Sequence, residues 1–159
     1  MASSHETATE ALSTLLAGIV AGANGAVYTP SRVRRVTVYG DNPLDPSQTI
    51  EYLIRPGRET VRVSPDNCRV TSDLEIFILV AQKYGASIIP DVGRWQVTAD
   101  MVADVLNAIL TGPIPAFTLG GAAVTVYDIG VDYEWWNDVW ALAEIRCVIR
   151  HRHKRDGGR

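Results

Sequence analysis

The sequence predicts an α+β domain, a mostly antiparallel sheet with two amphipathic helices packed on one face. Three observations predict it. Leu12 through Ala23 and Met101 through Leu110 repeat apolar residues at helical spacing. Asp73–Val80 and Ala141–Ile149 alternate with period two, as strands do. The strand-like stretches come in runs instead of alternating singly with helices, which argues against a parallel α/β layout.

Residues 1–6 are polar and read as a loose lead. Thr7-Ala-Thr-Glu10 fits a capping box, with a hydroxyl at the helix start and a carboxylate three residues on. Leu12, Leu15, Leu16, Ile19, Val20 and Ala23 then make one apolar stripe, ended by Gly22, Asn24 and Gly25. Arg32–Tyr39 is rich in β-branched residues and predicts a strand, and Gly40–Pro46 is a dense turn cluster. Ile50–Arg55 and Glu59–Val63 flank Pro56-Gly57-Arg58, a spacing that predicts a hairpin.

Along Asp73–Val80, Leu74, Ile76, Ile78 and Val80 share one face. Asp73, Glu75, Phe77 and Leu79 share the other, which starts wet and ends apolar, so the far end is covered on both sides. Residues 81–97 read as a long connection, with Thr98 as the cap of the second helix and Gly112-Pro113 as its stop. Val124–Tyr133 is a strand whose central Gly130 signals a bulge. The closing strand turns Ala141, Ala143, Ile145, Cys147 and Ile149 to the core and runs into a basic tail, residues 151–159.

A chain of 159 residues suits one domain with a core that needs no staples. Two cysteines cannot frame a disulfide scaffold, and reduced thiols in a cytoplasmic assembly environment are the simplest account. No apolar run approaches the roughly 20 residues of a membrane span. No basic stretch followed by an apolar one marks a secretory signal. Charge is segregated. Residues 70–145 carry ten carboxylates against Lys83 and Arg94, whereas 146–159 carry Arg146, Arg150, Arg152, Lys154, Arg155 and Arg159 against Asp156. An acidic body with a basic end can pair head to tail with copies of itself.

The chain holds no phosphate-binding glycine loop, dinucleotide fingerprint, nucleophile elbow or His-Glu-x-x-His motif, so no catalytic residue, cofactor or metal site is assigned. His151 and His153 have ligand spacing, but Arg150, Arg152, Lys154 and Arg155 around them repel a cation. Asp128, Asp132, Glu134 and Asp138 match no known cation loop and read as an acidic edge that faces arginines of a neighbour. Trp135, Trp136 and Trp140 bring three large rigid rings to one turn, the composition of an interface hot spot. Arg32, Arg34 and Arg35, with Arg55, Arg58 and Arg62, could form an arginine face on the early strands. No aromatic platform interleaves with it, so it suits an interface or a phosphate surface better than a single-strand reader.

The order of these elements resembles the tail terminator (tail completion) proteins of long-tailed bacteriophages. The match covers the helix Thr7–Ala23, the early strand and extended hairpin Arg32–Val63, the central strand Asp73–Val80, the helix Thr98–Leu110 and the closing strand with its basic end. The resemblance implies a virion structural protein of the tail and neck, not an enzyme. It implies a homo-oligomeric ring, usually a hexamer, that caps the tail tube, docks the head connector and passes DNA through its lumen. The 81–97 loop and the Trp135-Trp136 turn have no counterpart in that pattern. Under this expectation Arg146, Arg150, Arg152, Lys154 and Arg155 form one half of an intersubunit contact. Asp128, Asp132, Glu134 and Asp138, flanked by Trp135 and Trp136, form the other half. The alternatives are another head–tail neck component or a small nucleic-acid-binding α+β module.

Overall fold

The computed structural model describes residues 4–37, 43–65, 69–83, 91–110, 116–119, 122–134 and 139–154. Two helices, α1 (Ser4–Ala17) and α2 (Asp91–Leu110), accompany six strands: β1 (Arg32–Arg35), β2 (Ile50–Val63), β3 (Arg69–Lys83), β4 (Ala116–Leu119), β5 (Ala122–Glu134) and β6 (Trp140–Lys154). The strands form one sheet in the order β1-β2-β3-β6-β5-β4. Every pairing is antiparallel except the short parallel join of β1 to β2. The fold is α+β.

Both helices lie on one face. Ala8, Leu12 and Leu16 of α1 and Met101, Val105 and Ile109 of α2 pack on Tyr52, Ile54, Ile76, Ile78, Ala143, Ile145 and Cys147. Leu12, Leu16, Ile76, Ile78 and Ile145 are fully sequestered, and each such side chain contributes about 1.5–3 kcal/mol of transfer free energy. Burial pushes the Cys147 thiol up to about 12, so it behaves as a small hydrophobe. A buried carboxylate ties the connection after α1 to α2. Asp104 Oδ2 accepts from the backbone N–H of Tyr28 at 2.7 Å, and its two oxygens accept from that of Val27 at 2.9 and 3.0 Å.

Several boundaries differ from the sequence reading. Helix α1 begins at Ser4, ahead of the expected cap at Thr7, and ends at Ala17. A 3-10 turn, Ala23–Gly25, follows it. Thr9, inside α1, returns its hydroxyl to the Glu6 carbonyl at 3.1 Å, an internal use of a residue type that otherwise caps. Thr98 lies buried inside α2, which starts at Asp91, so the supposed loop 81–97 is divided among the end of β3, undescribed residues 84–90 and the first turns of α2. The strand β4 was not foreseen, and Gly112-Pro113 lies outside the described residues.

The hairpin predicted around Pro56-Gly57-Arg58 is instead one continuous 14-residue strand, bulged where the β2–β3 register shifts between Pro56 and Glu59. Pro56 and Gly57 read as turn residues, but their roles are different. Gly57 is glycine because a Cβ there would stand 2.8 Å from Phe77 Cε2 and 2.9 Å from Glu75 Oε2. The bulge expected near Gly130 is present between Tyr127 and Gly130, with Asp128 as the left-handed residue at φ 53°. Finally, β6 runs on through His151–Lys154, paired with Arg69–Ser72, so the first part of the expected basic tail is sheet.

A candidate interface on the open sheet face

The face away from the helices is built by register. Strand β6 turns Leu142, Glu144, Arg146, Val148 and Arg150 to it, opposite Ala81, Leu79, Phe77, Glu75 and Asp73 of β3. One end of this face is covered. Leu44, Leu53, Leu79, Ala81, Trp140 and Leu142 form a second small core with Val36 packed against it. The segment above it is clamped by Glu51, fully buried on β2. One oxygen takes the Nε–H of Arg34 and the other takes the Asp45 N–H at 2.8 Å, while Arg34 also donates to the Pro43 carbonyl.

The other end is open and charged. Arg150 meets Asp73 at two points, Nε to Oδ1 at 2.7 Å and Nη2 to Oδ2 at 2.9 Å, and donates to Tyr127 Oη at 3.0 Å while lying over that ring. Arg146 donates its Nε–H to Glu75 and reaches Asp128 with Nη1 at 3.2 Å. The Arg55 guanidinium stacks 4.2 Å above the Phe77 ring. Between these groups runs a trench of about 370 Å³, edged by Arg58, Thr60 and Arg62.

The electrostatics fix these charges. The Arg150 hydrogen bond holds the Asp73 carboxyl below its ordinary value against the opposing effect of burial, and Arg146 does the same for Glu75. Reciprocally, Asp73 raises Arg150, and Glu75, then Asp128, raise Arg146. Burial raises the Tyr127 hydroxyl, with Asp73 adding to it. Permanent ion pairs on an accessible sheet make a surface of fixed charge suited to recognition. Among the described residues no three His, Cys, Asp or Glu side chains stand together as a metal site. No helix among them is long and apolar enough to cross a membrane.

The residues expected at an interface are distributed as follows. Arg146 and Arg150 are engaged within their own chain, Arg146 partly by Asp128, which keeps a side chain 61% exposed. Asp132 is exposed and stands opposite Glu144, while Glu134 is placed opposite Leu142. Arg152 and Lys154 are strand positions opposite Thr71 and Arg69. Trp135, Trp136, Asp138 and Arg155 lie outside the described residues. The acidic strand β5 and the basic strand β6, expected to meet between copies, are thus neighbours in one copy. Sequence reasoning did not anticipate Asp73, Glu75 and Tyr127 as the partners of these arginines. The alternation had placed Asp73 and Glu75 on the wet face, but their partners depend on β3–β6 register. No protein-family profile matches the chain, and no curated protein matches it in sequence.

Proposed function

We propose that this chain is a structural virion protein that assembles into a ring, usually six copies, at the end of a bacteriophage tail tube. The ring stops tube growth and presents the docking surface for the head connector, while DNA passes through its lumen. The observation that carries the reading is the two-sided sheet. One face is sealed by both helices, while the other, covered at one end, carries partly buried ion pairs, stacked Arg55–Phe77 and an open charged trench at the other end. A sheet with one finished and one polar, accessible face suits a protein whose partners are other proteins. The order of helix, long antiparallel strands, helix and closing hairpin resembles that of the tail terminators, which supports the reading. The role requires no enzyme chemistry and no cofactor.

The nucleic-acid-binding alternative is weaker on charge. The arginines of the open face share it with Asp73, Glu75 and Asp128, and a phosphate entering the trench meets carboxylates as well as guanidiniums. The test is tube length. Added to a polymerising tail-tube protein of the same virus, the chain should bind tube ends and halt elongation. Unchanged tube growth with no bound chain contradicts the reading.

A further inference from the structure

The helix-free face ends in positive charge that its own carboxylates do not balance. Alternation from Asp73 puts Thr71 and Arg69 on that face, and the register sets Arg62 of β2 and Arg152 of β6 on either side of Thr71. The next row pairs Arg69 with Lys154. Both rows lie beyond Leu74 and Ile149, the core residues of β3 and β6 nearest that end. On β2 at the same end, Val61 and Val63 are 56% and 51% exposed, so the helix layer does not cover the strand there.

Nearer the middle of the face each arginine has its carboxylate, Arg146 with Glu75 and Arg150 with Asp73. The two end rows differ. Arg62 and Arg69 are exposed, and neither guanidinium has a hydrogen bond or ion pair among the described residues. Arg62 stands near Asp73, but both Asp73 oxygens are taken by Arg150. Arg62, Arg69, Arg152 and Lys154 thus bring four positive charges to two rows that hold no carboxylate. The adjoining stretches of sequence leave that excess unchanged, since Asp66 in 66–68 is offset by Arg155 and Arg159 against Asp156 in 155–159. Strand spacing of about 4.8 Å and two-residue steps of about 6.7 Å set the four positions within a patch of about 10 by 7 Å. Only Thr71 lies among them on this face. A protein hot spot is built round aromatic or apolar anchors, whereas a phosphate backbone needs charge alone.

We infer that this end of the sheet, carrying Arg62, Arg69, Arg152 and Lys154, binds the phosphate backbone of duplex DNA without reading its sequence. Contacts of this kind position a duplex and carry no base information. The inference rests on the ring reading for the DNA beside each subunit, and it assigns the surface turned to the lumen. The paired arginines of the trench, Arg146 and Arg150, are left to protein partners.

Fluorescence anisotropy of a short labelled duplex, titrated with the full-length chain, tests it. Four phosphate contacts predict a loss of about 100-fold in affinity between 50 and 200 mM salt, alike for duplexes of different sequence. Arg62→Gln/Arg69→Gln removes half of these contacts and should halve the slope of log affinity against log salt, so the same step costs about tenfold. Arg32→Gln/Arg35→Gln, which takes the same charge from exposed arginines of β1, should bind as the wild type does. Near-ultraviolet circular dichroism checks that both variants fold. The inference is overturned if the wild type leaves the duplex unbound at the lower salt, or if Arg62→Gln/Arg69→Gln keeps the wild-type slope. Equal losses in the two double variants overturn it as well, because net charge then explains the binding. So does polyglutamate that displaces the labelled duplex as well as unlabelled duplex does, since an acidic protein is then the occupant. Sedimentation velocity separates this inference from the ring reading. Rings that form and ignore the duplex overturn the DNA contact alone, whereas a monomer that binds with the predicted slopes keeps the contact and overturns the ring.

Discussion

Arg150 and Asp73 face each other directly across β3 and β6, and the guanidinium grips both carboxylate oxygens, at 2.7 and 2.9 Å. Asp73 is 8% exposed, so the pair is partly desolvated and its geometry is fixed. Removing the cation while keeping the volume, as in Arg150→Met, strands a buried carboxylate. The variant should lose about 2 kcal/mol of stability in urea unfolding. The double change Asp73→Asn/Arg150→Met should cost less than Arg150→Met alone, because no charge is then left unpaired.

The same pairs set an acid limit. Asp73 and Glu75 titrate below their ordinary values of 3.8 and 4.5 in the folded chain. A carboxylate with a depressed folded pKa contributes stability that is complete above its unfolded pKa and is lost as pH falls through the folded value. Melting temperature should therefore hold down to about pH 5 and fall below it. In Asp73→Asn/Glu75→Gln that acid slope should flatten. A slope identical to wild type would show that other carboxylates set the limit.

Tyr52 is fully buried beneath the helices, and its Oη has no hydrogen-bond partner among the described residues. Burial is the main cause raising its ionisation far above the ordinary value, with Asp104 next. Tyr52→Phe removes a desolvated hydroxyl and keeps the ring. It should be neutral or stabilising by up to about 1 kcal/mol, whereas loss of more than that would reveal a hidden partner.

Asp104 does the opposite work, capping two backbone N–H groups of the segment after α1. Asp104→Ala should cost about 2–3 kcal/mol and should increase hydrogen exchange at Val27 and Tyr28 selectively, since those amides lose their acceptor.

Much of this architecture is legible as periodicity. The alternation of Leu74, Ile76, Ile78 and Val80, and of Ala141 through Ile149, assigns the helix-covered face residue by residue, and Cys147 sits in the core as its position implies. Local signals were less reliable where tertiary context competes. Pro56-Gly57 reads as a turn, yet Gly57 makes room for Phe77 and Glu75 inside a bulged strand. Thr98 reads as a cap, yet helix α2 passes through it. The partners of Arg146 and Arg150 were not legible at all, because they depend on which strand lies beside β6 and in which register. Strand order also decides which strands stand at the two ends of the sheet, and that order is not written in the local sequence.

Native mass spectrometry of the purified chain, alone and with a tail-tube protein, tests whether it assembles into a closed ring. A ring gives one dominant species of fixed copy number, six being expected, that persists on dilution and binds the tube protein. A chain that remains monomeric in both conditions would contradict it.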